Sequence, residues 1–198
     1  MRLGVFGGTF DPPHIGHLIL AAEASSQLEL DRLLWVLTPY PPHKQNQSVS
    51  LLEQRLVLVQ AVLAQDETFE LSQVEIERPA PHFAVDTVEL LQAQYPGASL
   101  IYLIGGDSLR DLPTWREPQR FMRNVAGLGV MRRPGDQVEL DQLEAALPGL
   151  RKKLLVIRAP LLEISSSDLR QRIASGRPFR YYLAPAVYDL IVQRGYYR

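Results

Sequence analysis

Arg2-Leu3-Gly4-Val5-Phe6-Gly7-Gly8-Thr9-Phe10-Asp11-Pro12-Pro13-His14-Ile15-Gly16-His17-Leu18 stands directly after the first methionine and decides how the rest of the chain is read. Residues 2–6 make a short apolar strand that breaks at Gly7-Gly8. After two prolines, residues 15–28 carry the spacing of an amphipathic helix, with Leu18, Ala21, Ala22 and Leu28 as its apolar positions. A strand that runs into glycines and then into a helix is suited to holding an anion. Gly7 and Gly8 permit positive φ and a backbone approach too close for a Cβ, and the helix turns its free N–H groups toward the same place. His14 and His17 are three apart, so on a helical first turn they share a face, with Gly16 leaving passage for a ligand. A histidine on such a loop is expected to pack little, so its loss should spare thermal stability.

Working outward, residues 33–37, 100–104, 125–131 and 154–157 are apolar runs of strand length. Between and after them, residues 51–63, 85–94, 167–174 and 185–194 read as helices. Continuously apolar strands alternating with helices, with glycines at strand ends, predict an α/β fold: a doubly wound, Rossmann-like parallel sheet. No repeat, low-complexity tract or long linker divides the chain, so residues 1–198 are expected to form one domain. In such a sheet, ligands sit outside the carboxyl ends of the strands. The unusual residues fall at those ends.

Composition excludes several classes. The chain has 198 residues, 46% of them hydrophobic and 22% charged, an ordinary globular mixture. No apolar run approaches the roughly 18 residues of a membrane span, and the glycine-rich start is too short in apolar length for a signal peptide. With no cysteine, disulfides, thiolate zinc sites and cysteine nucleophiles are out. A soluble cytoplasmic protein is expected. The net charge of −1 argues against a nucleic-acid partner. The charge is unevenly spread: residues 1–109 hold 5 Lys/Arg against 13 Asp/Glu, and residues 110–198 hold 16 against 9. That pattern is either a solvated mixed surface or an anion site drawing on the C-terminal half.

Two further segments carry chemistry. Ile164-Ser165-Ser166-Ser167-Asp168-Leu169-Arg170 follows the last strand. Hydroxyls and amides at a helix N-terminus, with an arginine one turn in, are phosphate ligands; Ser165-x-x-Asp168 is equally a capping box. Gly105-Gly106-Asp107-Ser108-Leu109 ends a strand and leads to Leu112-Pro113-Thr114-Trp115. Glycines there let a ribose or base lie on the backbone, and Asp107 is placed to accept from sugar hydroxyls. Trp115 offers a flat face to a cationic aromatic ring.

Together the HxGH loop and the ISSSxxR segment resemble the signatures of the HxGH nucleotidyltransferases, distant kin of class I aminoacyl-tRNA synthetases. GGDSL followed by LPTW is similar to the pattern of the nicotinate/nicotinamide mononucleotide adenylyltransferases within that superfamily. Pro42-His43-Lys44, the 78–87 stretch, Arg132-Arg133-Pro134-Gly135 and the ending from Tyr182 to Tyr196 also fall where that family has its motifs.

The resemblance implies that the phosphate of nicotinate mononucleotide attacks the α-phosphorus of ATP, giving deamido-NAD and pyrophosphate. It assigns His14, His17 and Arg170 to catalysis. Gly7, Gly8, Phe10, Gly16, Gly105, Asp107, Ile164, Ser165 and Ser166 would bind ATP. Thr9, Lys44, Phe83, Ala84, Thr87, Trp115, Arg116 and Arg133 would bind the mononucleotide. Mg²⁺ would arrive with ATP on phosphate oxygens and water, with no metal site of the protein's own. A homo-oligomer is compatible with all of this.

Two departures from the family pattern touch substrate choice. His82-Phe83-Ala84-Val85-Asp86-Thr87 lacks a tyrosine and a threonine hydroxyl that the family's SYTVDT-like loop has, and Arg116 replaces a common tyrosine. The competing readings are nicotinamide mononucleotide as acceptor, a pantetheine-phosphate adenylyltransferase, and a non-catalytic nucleotide sensor. Trp115 counts against the second, and the retained His14, His17 and Arg170 count against the third.

Overall fold

The computed structural model describes residues 1–40, 49–64, 66–131, 138–160 and 162–198. Its elements run β1 (Arg2–Gly8), α1 (Ile15–Gln27), β2 (Arg32–Leu37), α2 (Leu52–Leu63), β3 (Phe69–Ser72), α3 (Ala84–Gln94) and β4 (Ser99–Gly105). There follow α4 (Gly106–Asp111), a 3₁₀ turn at Leu112–Thr114, α5 (Pro118–Asn124), β5 (Gly127–Met131), α6 (Leu140–Ala146) and α7 (Leu150–Lys153). The last elements are β6 (Leu154–Ile157), α8 (Ser166–Ala174) and α9 (Pro185–Arg194). The strands form one parallel sheet of order β3-β2-β1-β4-β5-β6. That order reverses between β1 and β4, the switch point at which such sheets bind ligands.

The strands are apolar throughout because both faces are covered. Their period of two divides the core. Leu3, Val5, Leu34, Val36, Leu100 and Tyr102 face one cluster, with side chains of α3 and α5. Phe6, Leu33, Trp35, Leu37, Ile101 and Leu103 face the other, under α1, α2, α8 and α9. The doubly wound reading therefore holds.

Three local expectations do not. The buried face of α1 is Leu20, Ala21 and Ala24, and Ala22 is exposed. Strand β3 has no counterpart among the strands expected from sequence. Its Phe-Glu-Leu-Ser at an edge of the sheet buries only its two ends and carries no apolar run. The helices α4 to α7 have at most 7 residues each, too short for a helical period to show.

Candidate active site

The carboxyl ends of β1 and β4 open on a cavity of about 730 Å³, the size of a small-molecule site. Eight residues singled out in the sequence line it: Gly7, Gly8 and Thr9 after β1, Gly105 after β4, Phe83 and Ala84 at the start of α3, and Trp115 with Arg116. The N-terminus of α3, residues 84–94, thus meets the cavity with its unshared backbone N–H groups.

The glycines work differently from the expectation. Gly7 and Gly8 sit in β1, and neither has positive φ; the left-handed residue of the loop is Phe10, at φ +45°. A Cβ on Gly7 would stand 2.9 Å from the Tyr102 hydroxyl, and one on Gly8 would stand 2.9 Å from the Phe10 ring. Their small size admits the protein's own aromatic groups. Phe10 itself is fully buried and stands outside the cavity lining. Gly105 is the exception: a Cβ there would meet nothing within 4 Å.

Trp115 is half-buried, packed edge-on against Tyr102 and Phe121 at centroid distances of 6.2 and 5.3 Å. Two aromatic edges fix its plane where it borders the cavity. Arg116 is exposed, with Nε 4.0 Å from Glu117. Asp107 is exposed as well and pairs with Arg110 at 3.1 Å outside the cavity lining.

At the start of α1, the His14 and His17 rings stack at 3.7 Å and 26°. The backbone N–H of His14 donates to His17 Nδ1 at 3.1 Å. That bond makes Nδ1 an acceptor, so a neutral His17 carries its proton on Nε2. His14 is buried, and burial lowers its pKa to about 4, so it is neutral at pH 7; its Nδ1 has no protein partner. A Cβ on Gly16 would press on the His14 ring at 3.1 Å, so this glycine makes room for the imidazole. His17 also packs against Phe6, Phe10 and Trp35, contrary to the expectation of a loosely held side chain.

The ISSSDLR segment comes to the same loop from the other end of the chain. Ser166 Oγ donates to the Pro12 carbonyl at 2.9 Å, and Arg170 Nη1 donates to the Asp11 carbonyl at 2.8 Å. Ser165 caps α8, accepting from the Asp168 N–H at 3.0 Å and donating to its carboxylate at 2.6 Å. Ser165 is therefore the N-cap of α8, with its hydroxyl occupied, and the Asp168 carboxylate meets that hydroxyl rather than the Ser165 N–H of a full capping box. Ile164, half-buried, packs at the edge of the α1–α2 core. Lys44 and Arg133 lie outside the described residues. Among the described basic residues of the C-terminal half, Arg116 lines the cavity and Arg170 reaches the Asp11 carbonyl, while Arg120 pairs with Glu89, Arg151 with Asp141, and Lys153 donates to the carbonyls of Met122 and Val125.

The cytidylyltransferase-like family model matches residues 5–172. A "Probable nicotinate-nucleotide adenylyltransferase" of Thermomicrobium roseum is 42% identical over 100% of this chain and 92% of its own length. One from Thermus thermophilus is 38% identical over the whole of both chains. The chain belongs to the cytidylyltransferase-like family, in its nicotinate-nucleotide adenylyltransferase branch. The fold agrees: a Plasmodium falciparum nicotinic acid mononucleotide adenylyltransferase complexed with NaAD superposes with a TM-score of 0.80 at 17% identity, over 99% of this chain and 97% of that one.

Within this family frame, four residues that sequence reasoning missed hold the site together. Arg55 is buried in α2, and its guanidinium donates to the carbonyls of Ser50, Thr9, Thr38 and Pro39 at 2.8–3.1 Å. Burial pulls its pKa down and the nearby Asp11 pushes it back up. Asp11, also buried, accepts from the Ser50 N–H at 3.0 Å and from the Tyr197 hydroxyl at 2.9 Å. Tyr197 stays protonated there, since burial and that carboxylate raise its pKa.

Glu75 is the fourth. It is buried on the cavity wall and accepts from the Thr87 hydroxyl at 2.6 Å through Oε1. Burial pushes its carboxyl pKa up, while the Thr87 and Thr38 hydroxyls and Arg78 pull it back. Thr87 itself sits behind the cavity lining, between Glu75 and the Arg78 guanidinium at 3.3 Å. One signal for Arg55 existed: with Leu58, Val59 and Val62 it occupies the buried stripe of α2, where a charge needs a partner.

Proposed function

We propose that the protein transfers the adenylyl group of ATP to nicotinate mononucleotide, forming deamido-NAD and pyrophosphate, with residues 1–198 acting as one domain. The observation that carries this reading is the cavity at the β1/β4 switch point, walled by Trp115 and the α3 N-terminus, beside the stacked His14–His17 pair. The mononucleotide phosphate is already ionised at neutral pH and needs no general base. Catalysis is positioning plus stabilisation of charge on the α-phosphate and the leaving pyrophosphate.

His17 donates from Nε2 to the α-phosphate, and the neutral His14 adds a hydrogen bond beside it. Arg170 contacts the β/γ end with the N–H groups that Asp11 does not take. Because Ser165 and Ser166 give their hydroxyls to Asp168 and Pro12, their part in phosphate binding falls to the backbone amides of α8. The pyridine ring lies on Trp115, and its carboxylate faces the amides around Phe83 and Ala84, with Arg116 adding a charge-assisted contact. Asp107 turns from Arg110 to accept from ribose.

Mg²⁺ enters on the phosphates, held by their oxygens and water. Among the described residues no three His, Asp or Glu side chains gather as a metal would need. None of the described helices is long and apolar enough to cross a membrane.

The test is pyrophosphate release on mixing ATP with nicotinate mononucleotide, nicotinamide mononucleotide or phosphopantetheine. The acid should be preferred over the amide by at least about tenfold in kcat/KM. Release with phosphopantetheine alone would move the assignment to the sister activity. ATP binding with no release from any acceptor would make the chain a sensor.

A further inference from the structure

Resting on that reading, we infer that the Glu75 carboxylate is the counter-ion of the cationic pyridinium ring and makes the pocket select mononucleotides whose ring carries a positive charge. Glu75 is 3% exposed on the cavity wall, and its Oε2 has no hydrogen-bond partner. A buried carboxylate oxygen without a donor costs free energy unless a cation or a proton comes to it.

The groups facing it do not meet that need. Thr87 serves Oε1, and the Thr38 hydroxyl beside it lowers the pKa of the carboxyl yet leaves Oε2 without a donor. Arg78, the nearby cation, donates to the carbonyls of Pro81 and Phe83 and to the Thr87 hydroxyl, and forms its ion pair with Asp86. The His82 imidazole has its pKa lowered by burial and by Arg78, and the Tyr102 phenol is held protonated by burial. Burial raises the Glu75 pKa, so its charge is held there at a cost that a nearby cation offsets.

An N-glycosylated pyridine ring is a permanent cation of the right shape for a slot bordered by Trp115 and Tyr102. Its arrival beside Oε2 favours the ionised carboxylate and gives that oxygen its missing partner. The substrate's own carboxylate need not oppose this, since the α3 N-terminus offers it a separate set of N–H groups. The cavity thus divides recognition: helix amides for the ring substituent, Glu75 for the charge of the ring.

The experiment compares nicotinate mononucleotide with 3-carboxyphenyl C-riboside 5′-phosphate, which has the same shape, carboxylate and phosphate but a neutral ring. Both are titrated calorimetrically into the wild type, Glu75→Gln and Glu75→Asp. The wild type should bind the cationic ring at least about tenfold more tightly. Glu75→Gln, which keeps an oxygen for Thr87, should shrink that ratio below about threefold, and Glu75→Asp should retain part of it.

Equal binding of the two ligands by the wild type would overturn the inference while leaving the proposed function intact, and that arm needs no variant to fold. Parallel weakening of both ligands in Glu75→Gln would also overturn it, reducing Glu75 to a pin for Thr87. Failure of the wild type to bind either ligand would defeat the proposed function itself, and the inference with it.

Discussion

The two ends of the site are built on opposite plans. Around the His14–His17 loop, polar groups from distant parts of the chain engage one another: Asp11 with Ser50 and Tyr197, Arg55 with four carbonyls, Ser166 and Arg170 with the carbonyls of Pro12 and Asp11. Around the cavity Glu75 Oε2 and His82 Nδ1 lack partners and Gly105 faces open space, whereas at the loop His14 Nδ1 lacks one amid these long-range bonds. The loop that would handle the transferring phosphate is fixed in advance by the protein. The pocket that would choose the acceptor is left for the ligand to complete. Charge developing in a transition state rewards donors that need no reorganisation, whereas specificity can be settled when the substrate binds.

The sharpest way to break this contrast is at Arg55. Arg55→Met keeps the volume of the stem but takes the guanidinium donor from one buried and three part-buried carbonyls, and should destabilise the fold by about 3–5 kcal/mol. Urea denaturation measures it. A loss under about 1 kcal/mol would mean that the loop is not held from below, and that the contrast between the two ends is illusory.

A second test uses acid. His14 has a folded-state pKa of about 4 against 6.5 for the ordinary group. Between those values the unfolded chain binds a proton that the folded one refuses. Its contribution is therefore fully present above pH 6.5 and falls by about 3 kcal/mol as the pH drops to 4, then levels off. Glu75, with its raised pKa, acts in the opposite sense. The quantity to follow is hence the difference in unfolding free energy between wild type and His14→Asn across pH 4 to 7. A flat difference would place the imidazole in contact with water.

His17 joins the two ends, since it packs under the loop against Phe6, Phe10 and Trp35 and is, in the proposed mechanism, the donor to the α-phosphate. His17→Ala should lower kcat by at least about 10²-fold, the usual scale for one preorganised donor. It should also cost about 1–2 kcal/mol of stability through the lost ring contacts with Phe6, Phe10 and Trp35. Turnover above half that of the wild type would remove His17 from the mechanism. An unchanged melting temperature would restore the loosely packed loop that the sequence alone suggests.

That reversal shows where sequence reading stops. The β strands of the sheet's centre are legible because burial on both faces leaves an unbroken apolar run, and the glycines mark the strand ends where ligands bind, but the place where the strand order reverses is not legible. Edge strand β3 leaves no such trace. The site residues are legible as a set of types but not as partners. Gly7, Gly8 and Gly16 look the same in sequence whether the space they leave is for a ligand or for Tyr102, Phe10 and His14. Asp11, Glu75 and Tyr197 could not be paired because their partners lie 39, 12 and 186 residues away. Long-range hydrogen bonds have no period to betray them.

The smallest predicted effect falls on the open end. Trp115 is held by Tyr102 and Phe121 along its edges, so truncation should disturb the ligand's stacking surface more than the core. Trp115→Ala should weaken the mononucleotide by about 1–2 kcal/mol and leave the KM for ATP nearly unchanged, because the proposed mechanism puts the ATP phosphates at the other, pre-fixed end. Trp115→Phe, which keeps a flat face, should recover much of the loss. Steady-state kinetics with each substrate varied in turn will separate the cases. Equal increases in both KM values would mean that the tryptophan braces the whole site. In that event the two ends would be mechanically one, and the division between a rigid phosphate end and a ligand-completed acceptor end would fail at the aromatic wall between cavity and core.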